Sequence, residues 1–308
     1  MKKALVTGGM GFIGNHLVSR LLDMGMKVTI LDKCIHKPVY KDISAAHIID
    51  GDVLSRELLS HCLHEVDICY HLAAISSIDL CYRDWLFSHE NNVRAFNGLL
   101  DAIRLQHKPV RLVYASSASV YGNYKQLPLH ESLTPSPIST YGADKLSNEI
   151  YAQAMQVMAD ISSIGLRFFN VYGPGQLSSN PYTGVISSFK KAMFRNMPLT
   201  IFGDGQQTRD FVYIDDVVDA LVLCMKVKHK SAEVLNICSG KGITIESLAN
   251  MMIKLTNYSH GLQYKEERRG DLRCSVGDVT NAKIHLGFTA KTPIEAGLRY
   301  FLDSPFQA

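Results

Sequence analysis

The chain of 308 residues contains no Cys-x-x-Cys pair and no His-Glu-x-x-His run. The usual sequence signatures of a zinc site or a dithiol redox site are therefore missing. Of the twelve histidines, His61 and His64 could share a helix face, but beyond Cys62 no ligand pattern completes a site, and no metal is expected. No apolar run approaches the ~20 residues of a membrane span, so no membrane partner is expected. Charge of one sign is also missing: 32 Lys and Arg face 29 Asp and Glu, a net +3. The basic residues are scattered, and Glu266-Glu267-Arg268-Arg269 balances itself, so no nucleic-acid surface is expected. The seven cysteines are odd in number and mostly in apolar contexts. They read as buried free thiols in a reducing compartment. The apolar stretch after Met1-Lys2-Lys3 stops at Thr7-Gly8-Gly9, too short for a signal-peptide core. The expectation is a soluble cytoplasmic protein.

What is present is alternation. Strand patterns at Lys3–Val6, Lys27–Leu31, His47–Ile49, Ile68–His71, Arg111–Ala115 and Ile161–Arg167 are separated by helical ones. The helical stretches are Phe12–Met24, about Tyr82–Leu105, and Tyr141–Met158. This order predicts an α/β fold, a doubly wound parallel sheet with helices on both faces. After Phe169, Pro and Gly become frequent, as in Gly173-Pro174-Gly175, Pro181, Gly184 and Gly203-Asp204-Gly205. Helices are expected at Val185–Phe194, Asp215–Met225 and Ile245–Leu255, and a strand at Val234–Ile237 that returns to the sheet. Residues 1–172, with a returning segment near 211–238, are thus read as a Rossmann domain. Residues 173–308 are read as a smaller, interleaved substrate-binding lobe.

The first strand runs into Gly8-Gly9-Met10-Gly11-Phe12-Ile13-Gly14 and then a helix. Gly8 suits the tight turn, Gly11 a close backbone approach to a pyrophosphate, and Gly14 the packing of helix on strand. The helix N-terminus around Phe12 and Ile13 offers free N–H groups to phosphate. Asp32 ends the second strand about 20 residues on, where the fingerprint places the ribose-binding acid. Its carboxylate favours NAD over NADP, with Lys33 the one residue that points the other way. Asp52-Val53 follows the third strand, where the adenine would lie. Leu72-Ala73-Ala74 follows the fourth, where small residues leave room for the dinucleotide.

Tyr141 and Lys145 stand four apart on a helix and share a face. A tyrosine is too weakly acidic, at a reference pKa of ~10, to act as a base near neutrality. A nearby ammonium and the positive nicotinamide would favour its phenolate. Such a tyrosine can take a hydroxyl proton while hydride leaves the same carbon. Ser117, just past the fifth strand, can bond the same hydroxyl, so Ser117, Tyr141 and Lys145 are the candidate catalytic residues.

These motifs together, with Arg167-Phe168-Phe169-Asn170-Val171-Tyr172-Gly173-Pro174, resemble the extended short-chain dehydrogenase/reductase superfamily, in its nucleotide-sugar epimerase and dehydratase branch. The resemblance runs from Ala4 to about Leu302. It implies tightly held NAD, and Tyr141 taking the 4-hydroxyl proton of a sugar nucleotide, UDP-linked by resemblance. Relatives that dehydrate or decarboxylate commonly carry acids after the Ser/Thr, where this chain has Ala118 and Ser119. Plain 4-epimerisation is therefore the expected reaction, with a uronate epimerase or decarboxylase as the alternative and a catalytically silent sensor as the non-enzyme alternative. The resemblance also assigns Asn170 and Arg209 to the diphosphate. From the Arg-x-Gly-Asp signature it assigns Arg268 to phosphate and Asp271 to the ribose. Ser275, four past that Asp, would line the sugar pocket, and its small size implies room for an N-acetyl group, as in UDP-GlcNAc or UDP-GalNAc. A homodimer is expected, the resemblance pairing Tyr82–Leu105 and the helix after Tyr141; their apolar Leu86, Phe96, Leu99, Leu100, Ile150 and Ala154 fit either that interface or the intrachain core, the commoner fate of such stripes.

Overall fold

The computed structural model describes residues 1–35, 40–176, 184–227, 231–268 and 270–305. Pro181 lies outside the described residues. The strands are β1 (Lys3–Thr7), β2 (Lys27–Asp32), β3 (His47–Asp50), β4 (Ile68–His71), β5 (Arg111–Ser117), β6 (Ser163–Phe168), β7 (Asn170–Tyr172), β8 (Leu199–Phe202), β9 (Thr208–Tyr213), β10 (Ala232–Ile237), β11 (Gly242–Thr244), β12 (Leu262–Lys265) and β13 (Cys274–Ser275). The helices are α1 (Phe12–Asp23), α2 (Arg56–Cys62), α3 (Ile78–Arg83), α4 (Trp85–His89), α5 (Ala95–Arg104), α6 (Thr140–Ala159), α7 (Val185–Phe194), α8 (Ile214–Leu223), α9 (Ile245–Thr256), α10 (Thr280–Leu286) and α11 (Ile294–Asp303).

Seven strands form one sheet in the order β10-β6-β5-β4-β1-β2-β3. Every pairing in it is parallel. Such a sheet must be covered on both faces, which is why β4 and β6 are buried along their whole length. Alternation along β1 sends Ala4 and Val6 into one core with Leu17, Leu21 of α1 and Val217, Leu221 of α8. Leu5 goes into the opposite core with Leu59 of α2, Phe96 and Leu99 of α5, and Ala152 of α6. The chain lays down β1, β2 and β3 in one direction, then crosses to β4 on the other side of β1. The strand order reverses between β1 and β4, the switch point at whose carboxyl ends such sheets form their ligand crevice.

The expected returning strand is β10, which closes the sheet beside β6. The smaller sheets come from the second half: β11-β9-β13 with β7 on β9, and β12 on β8. Strand β7 thus leaves the main sheet before residue 172. These short strands lack any long period-2 pattern, and they went unpredicted.

Three expectations change. The long helix over Tyr82–Leu105 is broken: Asp84 leaves helical geometry (φ −131°) and caps α4, accepting from Phe87 N. Between α4 and α5 the chain widens into a π-helical turn at Glu90–Arg94. Second, Phe96, Leu99 and Leu100 are at most 2% exposed, so they belong to the intrachain core and not to a pairing surface. Leu86 and Ile150 are 63% and 56% exposed, and Ala154 is exposed as well. Third, α2 ends at Cys62, so His64 falls past the helix and shares no helix face with His61. No helix among the described residues is long and apolar enough to cross a membrane.

Candidate active site

The glycine loop joins β1 to α1 at the crevice. Gly8 has φ +74°, and a Cβ there would stand 2.6 Å from Ala73 N. The turn therefore needs glycine both for conformation and for the approach of the β4 loop. A Cβ on Gly14 would be driven into the carbonyl oxygen of Gly8. Gly14 thus serves packing, but of the helix on the loop itself. A Cβ on Gly11 would meet only Gly8 O, at 3.2 Å, so little protein crowds that side. Gly11 caps α1 without a side-chain hydrogen bond, which leaves the first N–H groups, those of Phe12 and Ile13, for an outside acceptor. These features fit a dinucleotide pyrophosphate.

Asp32 stands at the end of β2. It accepts from Met10 N at 3.0 Å and Cys34 N at 2.9 Å, so it braces the loop as well as offering oxygens to a ribose. Lys33 is committed elsewhere: it donates to Asn91 Oδ1 at 2.7 Å and to Asp52 Oδ2 at 3.2 Å. A lysine so held is not poised for a 2′-phosphate. Asp52 also accepts from Leu54 N at 3.0 Å, which fixes the turn at the buried Val53. Beyond β4, Leu72 and Ala73 are anchored to β1. Leu72 N donates to Thr7 O at 3.0 Å, and Ala73 N reaches Thr7 Oγ1 at 3.5 Å. Ala74 follows, half-buried. Neutral His71 bonds the same threonine at 2.8 Å, and burial pulls its pKa to about 3.

The three candidate catalytic residues stand near one another where β5 ends and α6 begins. Ser139 caps α6 by accepting from Gly142 N, which sets Tyr141 in the first turn. Lys145 Nζ donates to Ala115 O at 2.9 Å and stands 5.7 Å from the centre of the Tyr141 ring. Ser117 bonds Tyr141 and donates to Ser119 Oγ at 3.1 Å. Burial pushes the Tyr141 phenol up to about 12, with the Ser117 hydrogen bond opposing. Burial draws Lys145 down to about 8, opposed by Asp144, Cys81 and Glu149. The expected lowering of Tyr141 is thus not achieved by the chain alone. A buried phenolate is costly, so the chain by itself keeps Tyr141 a phenol.

The residues assigned to the substrate lie together around β9. Arg209 is paired with Asp271 and also donates to Thr208 O at 3.0 Å. Arg268 lies over the Phe202 ring at 3.8 Å. Asp271 N closes a turn onto Arg268 O at 3.1 Å, with Gly270 at φ +80°, so the glycine of the Arg-x-Gly-Asp signature is conformational. Arg269 lies outside the described residues. Asn170 donates to Asp210 O at 3.0 Å. Ser275 of β13 pairs with Arg209 of β9 and is 4% exposed, while Cys274 is half-buried.

Three buried groups escaped the sequence reading. Glu149 takes two bonds from Arg167, at 2.9 and 2.7 Å, and one from Ser116. Asp210 accepts from Ser239 N and Oγ, Gly240 N and Gly277 N. Asp144 sits inside the Tyr-x-x-x-Lys motif and is 5% exposed. The available signal was an acid on an otherwise inward helix face.

A doubly wound parallel sheet with a glycine loop at its switch point defines the Rossmann class of dinucleotide-binding folds. The model of the NAD dependent epimerase/dehydratase family matches residues 4–238, and the chain belongs to that family, whose cofactor is NAD. It is similar to the UDP-glucose 4-epimerase of Thermotoga maritima, solved with UDP-glucose, at 33% identity and TM-score 0.93, covering 98% of this chain and 97% of that one. A UDP-N-acetylglucosamine 4-epimerase from Methanobrevibacter ruminantium M1, in complex with UDP-N-acetylmuramic acid, matches at 32% and 0.92, covering 98% and 97%. The UDP-glucuronic acid 4-epimerase of Bacillus cereus, in complex with UDP-glucuronic acid and NAD, matches at 31% and 0.88, covering 98% of each.

Proposed function

We propose that this enzyme is an isomerase, an NAD-dependent 4-epimerase of a UDP-hexose that also accepts UDP-GlcNAc and UDP-GalNAc. The observation that carries the reading is the Ser117–Tyr141–Lys145 face followed by Ala118 and Ser119, which offer no carboxylate for dehydration. Bound NAD supplies the acceptor and donor of the sugar C4 hydride. Tyr141 Oη takes the 4-hydroxyl proton and later returns it, Ser117 Oγ holds the same hydroxyl, and Lys145 stabilises the phenolate. The 4-keto sugar turns over in the site, so that hydride returns to its other face.

NAD would be held by Gly8, Gly11, Phe12, Ile13 and Gly14, with Asp32 for its ribose, and by Asp52, Val53, Leu72, Ala73 and Ala74. The 173–308 lobe holds the nucleotide. Arg209 has five donors and keeps some beyond Asp271 and Thr208 for the diphosphate, with Arg268 and Asn170 beside it and Asp271 on the ribose. The small Ser275 leaves room for an N-acetyl group. Tyr82, Trp85, Leu86 and Phe87 of α3 and α4, and Ile150, Tyr151, Val157 and Met158 of α6, are exposed, and the enzyme is read as a homodimer paired through these helices.

The likeness to the Bacillus cereus enzyme favours a UDP-uronate as the second reading. The test incubates purified protein with UDP-hexoses, UDP-N-acetylhexosamines and UDP-uronates without added NAD, and resolves the products. A 4-epimer without net NADH supports the proposal. Carbon dioxide release or a stable 4-keto product overturns it, and no turnover at all favours a sensor. Ser275→Tyr should lose UDP-GlcNAc turnover and keep UDP-glucose turnover; equal loss of both removes Ser275 from its role.

A further inference from the structure

The glycine loop and the Tyr141 face lie at the carboxyl edge of the main sheet. The opposite, amino edge holds a cavity of about 730 Å³, lined by Lys3, Lys27, His47, His61, Cys62 and His64. Lys3, Lys27 and His47 are the first residues of β1, β2 and β3. The parallel register sets Lys3 beside Lys27, and Thr29 beside His47. Alternation then sends Lys3, Lys27, Thr29 and His47 to the face of Leu5 and Leu31, the one that α2 covers. α2 ends at Cys62, so its last turn brings His61, and the turn after it His64, to the same cavity.

Like charges side by side on neighbouring strands are unfavourable, and here their neutralisation is incomplete. Lys3 forms an ion pair with Glu65. Asp67 accepts from Lys3 N at 2.7 Å and pairs with Lys108 at 2.8 Å. Neither carboxylate reaches Lys27, whose ammonium has no hydrogen bond or ion pair among the described residues. The rings of His47, His61 and His64 likewise make no hydrogen bond there. The cavity lining contains no Asp or Glu, and burial keeps Cys62 a thiol. No three His, Cys, Asp or Glu among the described residues are placed to hold a metal. The chemistry left at this edge is one unmatched ammonium and three free imidazoles, which suits an anion.

We propose that this cavity is a second ligand site, for a small organic molecule that carries phosphate. Lys27 supplies the charge, and His47, His61 and His64 supply ring N–H donors from two further elements. A phosphate group, with nearly two charges and three acceptor oxygens, can engage several such donors at once. Buried Met26, Val28 and Val66 line the same cavity and offer apolar contact to the rest of the molecule. Small-molecule sites span roughly 300–1,000 Å³, so the space exceeds what a bare phosphate needs. Because the site is on the far edge of the sheet, its ligand does not compete with the sugar nucleotide.

The test adds sodium pyrophosphate to the purified holoprotein in the presence of saturating UDP and follows the histidine ring carbons by NMR. His47→Gln, His61→Gln and His64→Gln each remove one resonance and so assign it. All three resonances should move with a single dissociation constant, and their titration midpoints should rise, because a bound anion favours the protonated ring. Lys27→Gln, at an exposed position, should weaken binding about tenfold, the scale of one charged hydrogen bond, and Lys27→Arg should retain it. Three unmoved resonances at millimolar pyrophosphate would overturn the proposal, as would equal affinity in wild type and Lys27→Gln. The readout comes from residues of this cavity alone, so it judges the proposal whether or not UDP occupies the other site.

Discussion

Gly14 of the first helix lies so close to Gly8 of the first turn that a Cβ on Gly14 would enter the Gly8 carbonyl oxygen. Gly14→Ala forces backbone to move and should cost about 1–3 kcal/mol, the usual range for overpacking, together with NAD retention. Gly11→Ala meets only one atom, at 3.2 Å, and should leave the melting temperature nearly unchanged while NAD is lost. Thermal unfolding with quantification of co-purified NAD checks both. Equal loss of stability in the two variants would contradict the separation of packing from binding.

Tyr141 sits at about 12 in the chain alone. Bound NAD would add positive charge to this site, so the Tyr141 midpoint should fall. The tyrosinate absorbance of wild type minus Tyr141→Phe, with and without NAD, measures this. Tyr141→Phe should lower turnover by roughly 10²–10⁴-fold, the range for a lost general base, with NAD still bound. A midpoint insensitive to NAD would leave the phenolate without a physical cause.

His71 has a folded-state pKa of about 3 against 6.5. The folded value is the lower one, so the neutral ring contributes stability that is present above pH 6.5 and lost as the pH falls toward 3. Unfolding free energy should decline over that window in wild type. The decline should be shallower in His71→Asn, and denaturant melts at several pH values provide the comparison.

Glu149 and Arg167 are each 4% exposed at the side chain and bonded twice. Removing one partner strands a buried charge, so Arg167→Leu should cost about 3–5 kcal/mol. Glu149→Leu together with Arg167→Leu should recover part of that loss. Urea unfolding of the single and double variants tests the coupling, and additive losses would deny it.

Much of the main sheet was legible because its signals are local. β1, β2, β4 and β6 are short apolar runs, and Gly8, Gly11 and Gly14 report backbone demands that travel with the residue. The helix over Tyr82–Leu105 was misread because its apolar periodicity continues through Asp84 and Asn92, whose side chains bond Phe87 N and Ile75. Those bonds redirect the backbone, and periodicity carries no record of them. Strands β7, β8, β9, β11, β12 and β13 are two to six residues long, and each exists only through its neighbour in the sheet.

By itself the sequence determined that a dinucleotide loop opens the chain and that Tyr141 and Lys145 share a helix face, because turn geometry and the 3.6-residue period act over a few residues. Tertiary structure alone decided which charges surround that face. Arg167 reaches Glu149 from β6, His89 and Asn92 reach Asp144 from across a broken helix, and Arg209 meets Asp271 from 62 positions away. Electrostatic environment is a property of burial and distance in space, and the chain acquires it only when these segments meet.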